Sequence, residues 1–445
     1  MTDKHSAATA TSLNDYATTP VPQSETVNGI GIGMINGGLA FAVPGLISGI
    51  QLGDALGLEQ SIFAFLLGGL TLAILGTVTG LVGMHNRFSS CMTIKFVFGS
   101  SGANVINLAF VVSLLGWYGI NVDLFSQVSQ QLLLKYTDSA PEAWQLEMLF
   151  GVLITVITIW GFKTIERITN LLVPILFAIV VYLLVQSFGY AQSDPTSEII
   201  SGSLTFGEGV SAVVGSFIVS VVLMPDFSRY AAKPVDTVYA SFLPFLLINS
   251  FVYVVAAFAG IVVADSDILS VMLVLGLGGL AFFLLLISCC VTNVINLYSC
   301  GLGIIAVFPK CKEWQCIVAA GVLGTVVASF DLLDNFTNFL FSLSIIFTPV
   351  AAIYVVDFFI VRRCEKYTLQ HLALNQSWNI RAIIAWVIGV STSMSSNQGW
   401  ITITTIEVFD AVLLTLPAYY LLSRSKIKAR SKIKARSKLT ESHHQ

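Results

Sequence analysis

Four groups of polar or glycine residues interrupt long apolar stretches of this sequence, and they are where chemistry could be done. Trp117 and Asn121 stand four residues apart, so they share one face of a helix. An indole beside a carboxamide can stack a flat heterocycle and hydrogen-bond its edge. The plainer reading, an interfacial Trp with a packing Asn, fits less well because Trp117 falls in the middle of its stretch. Gly215-Ser216-Phe217-Ile218 sets a helix-weakening pair beside an aromatic ring, a candidate break. Ser288, Thr292 and Asn296 recur at intervals of four, with Asn293 and Ser299 beside them, and make a polar stripe on an apolar helix. Interhelical hydrogen bonds are worth only about 0.6 kcal/mol each on average, so five polar groups so close together point to a site. Gly29, Gly31, Gly33, Gly37, Gly38 and Pro44 crowd a fourth stretch. They favour either a broken helix whose free carbonyls could coordinate a cation or close packing through glycine, and the stretch alone supports both.

The elements that must hold these groups follow from composition. Of 445 residues, 55% are apolar, only 11% are charged, and mean hydropathy is +0.83. A soluble domain carries about 25% charged residues, so this chain cannot cover a water-facing surface and reads as a polytopic membrane protein. Apolar runs at about 28–52, 60–84, 101–133, 145–161, 169–187, 208–226, 237–263, 270–306, 315–331, 338–360, 380–396 and 402–422 give twelve candidate spans. Alternate loops divide the bases sharply. Arg87, Lys95, Lys163, Arg167, Arg229, Lys233, Lys310, Lys312, Arg362, Arg363, Lys366 and Arg381 fall on one side. Lys135 alone falls on the other, with Asp54, Glu59, Asp138, Asp194, Glu198, Asp265 and Asp267. Both termini are therefore expected in the cytoplasm, in a cell inner (plasma) membrane.

The remaining features exclude other classes. Residues 1–27 form a polar tail without a basic region and apolar core, so no cleavable signal is expected. The C-terminal tail, 423–445, repeats Arg-Ser-Lys-Ile-Lys-Ala at 424–429 and 430–435. It could touch anionic lipid or simply be solvated and reinforce topology. Asp226 and Arg229, three apart at a cytoplasmic edge, suggest a local pair with a structural or gating role. The seven cysteines form no extracellular framework, and the five histidines lie in tails or loops, which argues against a metalloenzyme. Scattered, scarce charge gives no sign of nucleic-acid binding.

In order and spacing these residues resemble the nucleobase–cation symporter-1 (purine-cytosine permease) family, most nearly its bacterial cytosine permease branch. The likeness runs from Pro20-Val21-Pro22-Gln23-Ser24 to about Arg363. It takes in Gly116-Trp117-Tyr118-Gly119, Gly215-Ser216-Phe217-Ile218, Asp226-Phe227-Ser228-Arg229, Thr292-Asn293, Leu297-Tyr298, Gly301-Leu302-Gly303 and Asp357 ahead of Arg362-Arg363. The resemblance implies an all-α protein of twelve transmembrane helices, a LeuT-type five-plus-five inverted repeat with broken helices 1 and 6. Residues 28–363 would be the transport core and 364–422 a loop with two further spans. It implies secondary active import of a nucleobase-like heterocycle with a cation, sodium first, and no organic cofactor. Trp117 and Phe217 would sandwich the ring, and Asn121, Ser216, Asn293 and Asn296 would meet its polar edge. Sodium would lie among the carbonyls of Gly38, Ala42 and Ser288 and the hydroxyl of Thr292.

Two positions depart from the family's pattern. Val291 stands where a second hydroxyl is usual, which removes an oxygen ligand and opens a proton-coupled alternative using Asp123 or Asp410. Leu114 stands where the cytosine permease has a glutamine, so another flat ring, such as hydantoin, allantoin or a vitamin precursor, is the alternative substrate. A membrane-embedded enzyme would need a nucleophile with a base, or a metal cluster, at membrane depth, and the sequence offers neither. A channel lining fits the broken-helix signals less well than a closed site does.

Overall fold

The computed structural model describes residues 19–137, 139–193, 202–308, 310–330, 332–333, 335–373 and 377–442, some of them, such as 160–173, 279–285 and 425–442, by backbone alone. The tail to residue 18, the outer acids Asp138, Asp194 and Glu198, and His5, His443 and His444 lie outside the described residues. So do the side chains of Lys135, Lys163, Arg167, His371 and the basic repeats from residue 425.

The chain is helical from end to end of the described residues, with one isolated bridge between Val27 and Ala231. In order the helices are α1 (Gly29–Gly38), α2 (Val43–Leu56), α3 (Leu58–Asn86), α4 (Ser90–Phe98), α5 (Ser100–Thr137) and α6 (Ala143–Ser193). Then come α7 (Phe206–Val222), α8 (Met224–Ser228), α9 (Pro234–Ser241), α10 (Asn249–Val263), α11 (Ile268–Val274) and α12 (Gly278–Val307). The last are α13 (Glu313–Ala328), α14 (Phe336–Val356), α15 (Leu369–Ala373), α16 (Ile380–Asn397) and α17 (Glu407–Ser442). A helix satisfies its own backbone polar groups, which is why an apolar chain of this composition takes this form in lipid. Six helices among the described residues are long and apolar enough to cross a membrane, seven if α1 and α2 count as one bent span. Three shorter apolar stretches, Ala143–Ile159, Phe206–Val222 and Trp314–Ala328, accompany them.

The glycine-rich first stretch bends at the 3-10 turn Leu39–Phe41, where α1 and α2 meet at 72°. It also packs closely: a Cβ at Gly49 or Gly53 would lie 2.7 Å or 2.6 Å from the side chains of Ala256 and Ala257 on α10. At Gly57, φ of +75° makes the tight turn into α3, a conformation glycine enters without strain.

Two sequence expectations change. The chain does not break at Gly215-Ser216; α7 runs through them and stops at Leu223, just before Pro225 at the start of α8. Gly215 instead serves packing, since a Cβ there would sit 2.0 Å from the Leu340 carbonyl of α14. The fourth and fifth expected spans lie in one helix, α6, without the anticipated loop. From 162 to 173 the sequence holds neither Gly nor Pro, and Pro174 comes only after that stretch. The flanks of α6 pack on different neighbours, Phe150 stacking on Phe125 and Phe177 meeting Phe41 edge-on.

Candidate functional site

The middle of α5 presents Trp117. Gly116 leaves room beside it for Phe339 of α14, whose ring a Cβ would approach to 2.5 Å. Trp117 then meets Phe339 and Phe336 edge-on, at 5.2 Å and 5.8 Å between centroids. Its ring is only partly buried and packs against both apolar clusters of the protein, one holding Leu46 and Tyr253, the other holding Phe217. Leu114, one turn before it, is a packing residue of the first cluster.

Two carboxamides are fastened to consecutive carbonyls of this same turn. Asn121 Nδ2 donates to the Trp117 carbonyl at 2.7 Å. Asn293 Nδ2, from α12, donates to the Tyr118 carbonyl at 3.3 Å. The other end of each amide, Oδ1, is buried and accepts no hydrogen bond, and Asn296 Nδ2 is buried without an acceptor. Buried polar atoms are paired in the large majority of cases, so these three unpaired ones on α5 and α12 require a reason.

The second group lies on α7, whose start is fixed by a capping box. Glu208 accepts from the Thr205 N–H at 2.7 Å, and Thr205 Oγ1 accepts from the Glu208 N–H at 3.3 Å. Ser216 Oγ donates to the Val213 carbonyl at 2.7 Å and accepts from the Tyr253 hydroxyl of α10 at 2.8 Å. Phe217 is 9% exposed and meets Phe245 edge-on at 5.9 Å. No ring pair joins Phe217 to Trp117 among the described residues.

The expected cation ligands occupy α1, α2 and α12. Gly38 ends α1, and Ala42, extended at φ −66° and ψ 155°, caps α2. The Ala42 carbonyl accepts the Gly45 N–H at 2.9 Å and keeps a second lone pair. Carbonyls at the end of a helix lack intrahelical partners, so the break supplies neutral oxygens suited to a hard ion. Ser288 is buried, Thr292 half-buried and Val291 buried, all on α12, which touches α2. Among the described residues no group of three His, Cys, Asp or Glu could hold a metal.

Other polar residues take local roles. Asp226 and Arg229 are joined through Arg229 Nε and the Asp226 carbonyl at 3.1 Å, while the Asp226 carboxylate accepts the Ser90 N–H of α4 at 2.9 Å. Asp410 accepts from Ser396 Oγ, the Ile403 and Thr404 N–H groups and Thr404 Oγ1, and so organises the entry to α17. Asp123 accepts from Gln127 Nε2 at 3.0 Å. A cavity of about 540 Å³ lined by Pro20, Arg87 and Lys366, and one of about 300 Å³ lined by Val387 and Leu414, lie elsewhere.

Sequence reading missed Tyr253, Phe339 and Asn36. A lone tyrosine in the apolar stretch 249–263 was a signal for the first. Nothing in the sequence pairs Phe339 with Gly116. Asn36, fully buried within the glycine run, was a visible polar group at membrane depth, and its Nδ2 reaches only Met224 Sδ, at 3.8 Å.

Residues 34–416 match a family described as permease for cytosine/purines, uracil, thiamine, allantoin. The cytosine permease of Escherichia coli strain K12 is 26% identical over 383 residues, 85% of this chain and 88% of that protein. Among solved structures, the inward-facing conformation of Mhp1 superposes with a TM-score of 0.81 at 18% identity, covering 94% of this chain and 95% of that one. Mhp1, a nucleobase-cation-symport-1 family transporter, closed with bromovinylhydantoin bound, gives 0.75 at 18% identity, covering 93% and 97%. A Na+-coupled sialic acid symporter gives 0.63 at 10% identity, covering 90% of each. The fold is thus the LeuT type that Mhp1 has.

Proposed function

The chain belongs to the family of permeases for cytosine/purines, uracil, thiamine and allantoin, a transporter and not an enzyme, and from that premise we propose a sodium-coupled importer of a nucleobase-like ring. The observation that carries this reading is the turn of α5 at Trp117. There an aromatic face meets two amides anchored to adjacent carbonyls, each with a buried, unpaired Oδ1. A ring bound there would stack on Trp117, with Phe217 closing from the α7 side. Its edge would meet Asn121, Ser216, Asn293 and Asn296. Binding by a stacking face plus a few placed polar groups is the common design of small-molecule sites.

Sodium would bind at the α1–α2 break, between the Gly38 and Ala42 carbonyls and the Ser288 carbonyl and Thr292 hydroxyl of α12. An ion there holds the broken span to α12, and it couples to the substrate if it favours the state that binds the ring. The bent first span and the long and short apolar helices support a multi-pass membrane protein. The loop bases, concentrated on one side, support an inner membrane with both termini inside and a basic tail able to touch anionic lipid.

Val291 favours a second reading, coupling to protons, since its side chain offers no oxygen to an ion. The four hydrogen bonds accepted by Asp410 tie that carboxylate to a structural role, which leaves Asp123 as the candidate. Uptake into proteoliposomes separates the two. Sodium coupling requires uptake to fall when sodium is replaced by choline at fixed pH. Proton coupling requires sodium-independent uptake that collapses with a protonophore and in Asp123→Asn.

A further inference from the structure

We infer that the cavity beside the ends of α3 and of the span Phe336–Val361 binds the phosphodiester headgroup of an anionic phospholipid, through Arg87, Lys366 and His85. The cavity holds about 540 Å³, and all three bases line it. Among the described residues no carboxylate stands in its wall. Glu365, beside Lys366 in sequence, is exposed and lies outside that lining. Two cations lining one hollow repel each other, and an anion between them replaces that repulsion with charge-assisted hydrogen bonds. A zwitterionic headgroup would bring an ammonium group that finds no acid in the wall.

The walls are held by contacts of their own. Arg87 caps α3 at φ +59°, and its carbonyl accepts the Val21 N–H at 3.0 Å. Its Nη1 donates to the Pro22 carbonyl at 3.3 Å, which takes one of the five guanidinium donors. Lys366 is placed by its neighbour. The Tyr367 N–H donates to Asn86 Oδ1 at 2.8 Å, and the Tyr367 ring stacks on Phe96 at 4.7 Å. His85 packs edge-on against Phe358 at 5.4 Å. Arg362, by contrast, is paired with Asp357 at 2.7 Å and takes no part in the wall.

Depth selects a lipid over a dissolved anion. Leu58–Asn86 and Phe336–Val361 are both long and apolar enough to cross a membrane, and residues 85–88 and 366–370 line the cavity where these two runs end. That is the level of the lipid phosphates, where basic pockets between spans suit anionic headgroups. Phe88 and exposed Leu369 add apolar wall beside the bases, surface that glycerol and the first acyl carbons can cover.

The test is thermal unfolding of the purified full chain in a neutral detergent, titrated with phosphatidylglycerol, with phosphatidylcholine of the same chains, or with inorganic phosphate. A ligand bound to the folded state raises the unfolding temperature. Phosphatidylglycerol should raise it saturably, and the other two should not at equal concentration. Arg87→Gln and Lys366→Gln should each raise the half-saturating concentration about fivefold. Lys312→Gln, which removes an exposed base outside the cavity, should leave it unchanged. No response to phosphatidylglycerol, or an equal response to phosphatidylcholine, overturns the inference. An equal response to phosphate overturns the lipid assignment in favour of a dissolved anion. A phosphatidylglycerol response unchanged in both variants also overturns it and moves the effect to the basic tail or the surrounding lipid. Lys366 is exposed, so Lys366→Gln decides alone if Arg87→Gln does not fold.

Discussion

Replacing Gly215 by alanine tests how closely the α7 half of the site depends on its packing against α14. The new Cβ would lie 2.0 Å from the Leu340 carbonyl oxygen and 2.7 Å from its carbonyl carbon. Ordinary contact begins near 3.5 Å, so the helices must part locally by about 1.5 Å. The obstacle is backbone on both sides, so no side-chain rotation relieves it. The next two residues are Ser216 and Phe217, and a shift of that size would stretch the 2.8 Å bond from Tyr253 and move the Phe217 ring. Overpacking of this kind costs about 1–3 kcal/mol, and carried into the bound state it weakens ligand affinity about 5- to 150-fold. Gly202 is the matched control, because a Cβ there meets nothing within 4 Å. Thermal unfolding in detergent and calorimetric ring binding should both fall for Gly215→Ala and remain unchanged for Gly202→Ala. Wild-type binding and unfolding in Gly215→Ala would show that the α7–α14 contact does not position Ser216 and Phe217.

The other expectations concern single groups. Tyr253→Phe removes one hydrogen bond to Ser216 and should weaken ring binding about fivefold, by calorimetry, with unfolding temperature nearly unchanged. Asp357→Asn breaks a buried cluster in which the carboxylate accepts from Arg362 Nε at 2.7 Å, Tyr419 at 2.8 Å and Tyr367 at 3.3 Å. It should destabilise by about 3–5 kcal/mol, read as a loss of folded protein by size-exclusion fluorescence, and the double variant with Arg362→Leu should lose less than the sum. Exposed Cys311 and Cys364 should react with an impermeant maleimide in inside-out vesicles and not in right-side-out ones. Cys91 should stay unlabelled in both at pH 7, since burial, with the Asp226 carboxylate adding to it, pushes its thiol up to about 11. A raised thiol pKa keeps the unreactive form through neutral pH, so its labelling should appear only as pH approaches that value.

The sequence carried the parts of the fold that depend on composition and periodicity. Long apolar runs located the helices, and the polar stripe on α12 located Asn293 and Asn296, because a polar group at membrane depth is costly whatever surrounds it. Glycine was ambiguous for a physical reason: lacking a Cβ, it serves a break and a close contact equally well. Gly38 lies at a break, while Gly215 lies in an unbroken helix pressed against a carbonyl. The hydrogen bonds from Asn293 to Tyr118 and from Tyr253 to Ser216 join residues 175 and 37 positions apart, and no local pattern announces them. Proline position proved more informative than glycine for span 6, since the helix stops just before Pro225.

A ring-binding site on Trp117 linked to a sodium site at the α1–α2 bend is open to direct measurement. Its most direct measurement is calorimetric binding of cytosine, uracil and hydantoin to wild-type protein and to Trp117→Ala, each with sodium and with choline. Loss of one stacking face is worth about 1–3 kcal/mol, so at least one ring should bind wild type and bind Trp117→Ala about 5- to 150-fold more weakly. Sodium should tighten that binding, and the ring should tighten sodium binding by the same factor. Ring affinity unchanged both by the loss of Trp117 and by the removal of sodium would mean that the ring does not bind on Trp117 and is not coupled to sodium.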